Sequence, residues 1–141
     1  MKTKITQAVL AGIIATVAMT AVIFMGSLMG MPKMSPPSML SAMMKVPAIV
    51  GWLMHFMIGI IYALAYIFLL FPLFKSIKSK ALDGIIFGLA VFVFALIMMV
   101  IMGFLFHGIP MPQGNMMVVV AGAIFGHLVY GIVVSYTIKA A

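Results

Sequence analysis

Four long stretches of this chain carry almost no charge, near Ile5–Met29, Pro47–Phe71, Leu82–Phe106 and Met116–Ile138. Each is long enough to cross a hydrocarbon core of roughly 30 Å, which takes about 20 helical residues. Inside lipid every backbone N–H and C=O must find its partner within the segment, so such stretches are expected to be helices. The whole chain is 67% hydrophobic and only 6% charged, far too little polar surface for a water-soluble domain of 141 residues. The expected fold is therefore all-α, a polytopic membrane four-helix bundle with the lipid bilayer as its solvent. MKTK ahead of the first apolar run has the look of a signal peptide. That run is longer than a usual secretory h-region, and it is expected to be a span.

Lysine placement predicts orientation. Lys2 and Lys4 precede the first span, Lys75, Lys78 and Lys80 lie between the second and third, and Lys139 follows the fourth. Only Lys33 and Lys45 fall on the other side. The positive-inside bias then places both termini in the cytoplasm. A net charge of +7 does not point to nucleic acid, because the lysines flank apolar runs and form no groove-sized patch. Tyr66 and Tyr136 are expected near the inner interface and Trp52 nearer the outer one, as members of aromatic belts. Asp83, the one acidic residue, is expected to help start the third span, where the helix dipole favours a carboxylate.

The chain matches itself at an offset of 72 residues. Gly12–Ile14 fall on Gly84–Ile86, Ala18 on Ala90, His55 on His127 and Gly59 on Gly131. This pattern predicts one membrane domain over 1–141 built as a duplicated two-helix hairpin, with repeat one about 1–73 and repeat two about 74–141. Two spans per repeat keep both copies in one orientation, so their pseudo-twofold axis should run along the membrane normal. Gly51, His55, Gly59 and Ala63 step by four, as do Ala123, His127, Gly131 and Ser135. Residues four apart share a helix face. Small-residue faces are where helices approach closely in lipid, so both imidazoles should turn toward protein. Gly84 with Gly88 and Gly122 with Gly126 are further close-approach faces, for internal packing or for partners.

An intramembrane imidazole needs a hydrogen-bond partner or a ligand. Thr16, Thr20, Tyr62, Tyr130 and Ser135 are candidate partners. The ligand reading is a bis-histidine b-type haem held by His55 and His127, with Gly59 and Gly131 letting the macrocycle lie close to backbone. A third reading uses some of the 17 methionines. Thioethers select Cu(I), and Met29, Met31 and Met34, or His107 with Met111, would form a copper site in the outer loops. In those loops, Ser38–Lys45 is expected to be a short surface helix. The chain has no cysteine, and it has no nucleotide loop, nucleophile elbow or zinc-protease signature. A single carboxylate also excludes any two-carboxylate mechanism within one chain.

The segments MGMPKMSPPSML, GWLMHFMIGIIYALAY and FGHLVYGIV resemble a group of small bacterial four-span membrane proteins catalogued as a domain of unknown function. The resemblance covers nearly the whole chain. It implies four spans and a bacterial inner-membrane location, and it implies no activity. The functional expectation is a non-catalytic membrane component, either a small subunit with a membrane-protein partner or a self-associating module. Haem binding or electron transfer, and copper binding or transport, are the alternatives.

Overall fold

The computed structural model describes residues 2–73, 79–106, 108 and 113–139. Five α-helices run in the order α1 (Lys2–Leu28), α2 (Pro36–Met44), α3 (Ala48–Ala65), α4 (Lys80–Leu105) and α5 (Met116–Thr137). A π-helical turn, Tyr66–Leu70, extends α3. Four of these elements are long and apolar enough to cross a membrane: α1, α3 with its π turn, α4 and α5. No strand occurs among the described residues.

The helix ends follow local chemistry. Gly30 closes the end of α1 at φ 93°, a left-handed conformation that a glycine adopts without a Cβ clash. The chain then folds back so that the Met31 N–H donates to the Gly26 carbonyl at 3.1 Å. Ser35, Ser79 and Asn115 cap α2, α4 and α5, each side-chain oxygen accepting a backbone N–H of the first turn. Proline at the start of α2 fits the φ of a first helical turn, and α2 lies against α3. The π turn precedes Pro72. Proline has no N–H and its ring crowds the preceding turn, so the α3 ladder cannot run on.

Burial repeats along the chain. In α1 the buried positions include Ala11, Gly12, Ala15, Thr16 and Met19; in α4 they include Asp83, Gly84, Phe87, Gly88 and Val91, each 72 residues later. Gly59, Ala63 and Tyr66 correspond in the same way to Gly131, Ser135 and Ile138. The crossings repeat too. A Cβ on Gly12 would lie 2.7 Å from the Ile60 Cα, and one on Gly84 would lie 2.6 Å from the Ile132 Cα. Gly59 abuts Thr16 at the first crossing, and Gly131 abuts Gly88 at the second. Glycines 72 residues apart thus make equivalent crossings, α1 on α3 and α4 on α5.

Side-chain size breaks the symmetry between the pairs. α1 also packs along α5, where Ala8, Ala11 and Ala15 join one core with Tyr130, Val134 and Ile138. On the other side α4 carries Phe87 where α1 has Ala15, and α3 carries Tyr62 and Tyr66 where α5 has Val134 and Ile138. There α3 and α4 meet through ring contacts, Tyr62 with Phe94 and Tyr66 with Phe87, the latter at 4.7 Å between centroids. Alanine lets two backbones approach, whereas large aromatics hold them apart.

Candidate functional site

The two histidines occupy equivalent positions and make different bonds. His55 is 8% exposed, and its Nε2 lies 3.1 Å from the Thr20 hydroxyl of α1. Thr20 spends its one hydrogen on the Thr16 carbonyl at 2.7 Å, so the His55 Nε2–H is the donor. This bond ties α3 to α1. The residue 72 after Thr20 is Phe92, which has no hydroxyl to offer. His127 accordingly donates from Nδ1 to its own helix, at the Ala123 carbonyl 2.7 Å away, and sets its ring edge-on to Phe92 at 5.5 Å.

Neither glycine expected to face a flat cofactor has room for one. A Cβ on Gly59 would land on the Thr16 Oγ1 of α1. A Cβ on Gly131 would overlap the Gly84 carbonyl oxygen and lie 2.5 Å from the Gly88 nitrogen. Both glycines are consumed by helix crossings, where close approach lets packing replace the hydrophobic drive that lipid removes. The bis-histidine haem reading does not fit this arrangement.

The expected copper ligands are only partly brought together. Met31 and Met34 converge on Gly122: a Cβ there would sit 3.0 Å from the Met31 Cε and 3.7 Å from the Met34 Sδ. They line an apolar cavity of about 280 Å³ between the C-terminal end of α1 and the N-terminal half of α5, with Ile23, Gly26 and Phe125 among its other walls. Met29 is 84% exposed and does not line that cavity, so it does not complete the set. His107 and Met111 lie outside the described residues, as do Lys75 and Lys78. Among the described residues no group of three or more His, Cys, Asp or Glu side chains is placed to hold a metal ion.

One further expectation changes, and another gains detail. Tyr66 belongs to no interfacial belt: it is fully buried. Its hydroxyl donates to the Asp83 Oδ2 at 2.5 Å. Asp83 does lie in the first turn of α4, as expected for a carboxylate on the helix dipole, with Ser79 as the cap. Its carboxylate turns inward at 7% exposure. Sequence reasoning missed this pair. The available signal was a lone acid inside a span, in a hairpin whose preceding span ends in a tyrosine. Tyr136, by contrast, is exposed, and Trp52 is also exposed at its end of α3. Other interior polar groups serve as cross-braces. The Tyr130 hydroxyl donates to the Gly59 carbonyl, and the Ser135 hydroxyl reaches the Lys80 carbonyl at 2.9 Å. Gly84 and Gly88 pack on α5, and Gly126 packs on Ile23, so these small faces serve internal contacts.

A protein-family model matches residues 2–141, a range that includes the three segments that carry the resemblance. The chain belongs to the family of unknown function DUF6789. No curated protein and no solved structure matches it. Membership in DUF6789 covers the histidine positions, the Asp83–Tyr66 pair and the methionine-lined cavity alike, and it assigns a role to none of them.

Proposed function

We propose that this protein is a non-catalytic membrane component, a small subunit or self-associating module whose paired histidine positions brace the bundle. The observation that carries this reading is where the interior polar groups are spent. His55 bonds Thr20, Tyr130 bonds the Gly59 carbonyl, and Ser135 bonds the Lys80 carbonyl, each joining one helix to another. Polar side chains used this way hold helices in register and present no chemistry to a substrate. The surface left for association centres on α4. Its apolar window is 17% buried, against 28–33% for the other three spans. Phe94, Ile97, Ile101 and Phe104 are exposed along α4, beside the side where aromatic rings hold α3 and α4 apart. Lysine-rich ends on the side of both termini support a cytoplasmic placement, and the resemblance supports a bacterial inner membrane.

The test is native mass spectrometry of the protein extracted from its own membranes in mild detergent, with cysteine cross-linking along α4. The expected result is an oligomer or a stoichiometric complex, with cross-links through positions 94, 97, 101 and 104. A monomer at every detergent concentration, with no α4 cross-link in intact membranes, refutes the reading.

Copper keeps one specific observation in its favour, the approach of Met31 and Met34 over Gly122. Titration with Ag(I) as a Cu(I) analogue decides it. Stoichiometric binding lost in Met31→Leu and in Met34→Leu is required, and the absence of binding removes the idea.

A further inference from the structure

The buried carboxylate is the interior group that bracing leaves unexplained. Asp83 is 7% exposed and lies within a membrane-spanning helix. Its Oδ2 accepts from Tyr66, while its Oδ1 is buried and receives no hydrogen bond. Packed near it are the Tyr66, Phe71 and Phe87 rings, joined in ring contacts. Among the described residues, the titratable groups at this end of the bundle are Tyr66 from the π turn, Lys80 on α4, Lys2 and Lys4 on α1, Tyr136 on α5 and Lys139 after α5. Lys4, Lys80, Tyr136 and Lys139 are exposed, and Lys75 and Lys78 lie outside the described residues. No described lysine forms an ion pair with the carboxylate, and Ser79 rather than Asp83 caps α4, which leaves the helix dipole as the described positive influence on it. Close to the same membrane face, two turns into α1, the Gln7 Oε1 is a second buried acceptor without a donor.

A buried carboxylate oxygen that accepts no hydrogen bond is costly to keep charged. Ionisable side chains kept inside spans at that cost mark sites where protons or ions bind. We propose that Asp83 is a proton-binding site embedded in the bundle, with Oδ1 as the atom that takes up and releases the proton. Uptake forms an O–H bond at Oδ1, converts an acceptor without a donor into a donor, and removes the buried charge. Oδ2 remains an acceptor in both states, so the Tyr66 bond survives the cycle. Tyr66 is the positioning residue. It sits where the α3 ladder widens, with the Phe71 N–H donating to its carbonyl at 2.7 Å across the π turn. Such turns recur at functional positions in helices. At position 72 residues from Asp83 the first repeat has Ala11, and 72 residues after Tyr66 the second repeat has Ile138, both buried. The bundle therefore has one such site, on the α3–α4 side only.

The chain holds a single Asp or Glu, which makes the test specific without a variant. The full-length protein in phospholipid vesicles is treated with dicyclohexylcarbodiimide, an apolar reagent that attacks protonated carboxyls. Intact mass and fragment mapping distinguish Asp83 from the C-terminal carboxyl. The expected result is one adduct on Asp83, with a labelling rate that falls about tenfold per pH unit above the titration midpoint. Infrared difference spectra should show a protonated-carboxyl C=O band that vanishes with that same midpoint. Tyr66→Phe, checked for helicity and melting, should move the midpoint. An Asp83 that stays unlabelled throughout, or that reacts equally well with a water-soluble carbodiimide, or that gives no acid C=O band, overturns the proposal. An unmoved midpoint in Tyr66→Phe overturns the role given to Tyr66.

Discussion

Gly59→Ala should destabilise the bundle through one atom, and a second substitution should rescue it. The new Cβ would land on the Thr16 Oγ1. Thr16 is a β-branched residue in mid-helix with few χ1 positions open to it, so its hydroxyl cannot simply swing aside. The α1–α3 crossing must open, and overpacking of this kind costs about 1–3 kcal/mol. Removing the hydroxyl first changes the outcome. The Thr16 Oγ1 is buried without a hydrogen-bond partner, so Thr16→Ala breaks no bond. That change is expected to be neutral or to stabilise by up to about 1 kcal/mol. In the Thr16→Ala background the nearest neighbours of the new methyl are the residue-16 Cβ at 3.3 Å and the Gly12 carbonyl oxygen at 3.4 Å. A shift of a few tenths of an ångström accommodates both, and Gly59→Ala should then cost less than about 1 kcal/mol. The coupling of about 1–2 kcal/mol lies in the range for residues in direct contact. Unfolding in mixed detergent–SDS micelles, followed by circular dichroism, measures all four corners of the cycle. An equal cost of Gly59→Ala in both backgrounds would show that Thr16 is not what Gly59 accommodates.

Gly131→Ala meets backbone, with Gly88 nitrogen at 2.5 Å and Gly88 Cα at 2.6 Å. It should cost at least the upper part of the roughly 1–3 kcal/mol range, and no single side-chain truncation should rescue it; a neutral result in the same unfolding assay would refute the close α4–α5 crossing. A His55→Ala, Thr20→Ala cycle should give a coupling near 0.6 kcal/mol and no more than about 1.7, as for other hydrogen bonds between membrane helices. The His127→Ala, Thr20→Ala cycle should give none, because His127 bonds its own helix. Haem added to the purified protein should produce no bis-imidazole Soret spectrum. A spectrum abolished by His55→Ala would show that the helix crossings at Gly59 and Gly131 open to admit a macrocycle.

Much of this architecture is set by residues read one at a time. Apolar length places four helices, because lipid leaves the backbone no other way to satisfy its polar groups. The offset of 72 residues anticipates which glycines meet which helices, because a glycine stripe at a spacing of four has one use in lipid, close approach. Inward histidines follow from the same stripe. Their partners do not. Whether an imidazole meets a hydroxyl or a phenyl ring depends on positions 20 and 92, on helices whose rotation no local pattern states. The haem reading, and the place given to Met29 beside Met31 and Met34, diverged from the structure for a related reason. Sequence spacing shows which residues share a face, but not which backbone fills the space before that face. Asp83 is the sharpest instance. Its place in the first turn of a helix reads as a charge on the dipole, and its partner is 17 residues back in the chain. Only the tertiary arrangement, with large rings parting α3 from α4 on that side and alanines closing α1 onto α5 on the other, decided that the one acid of the chain would face inward.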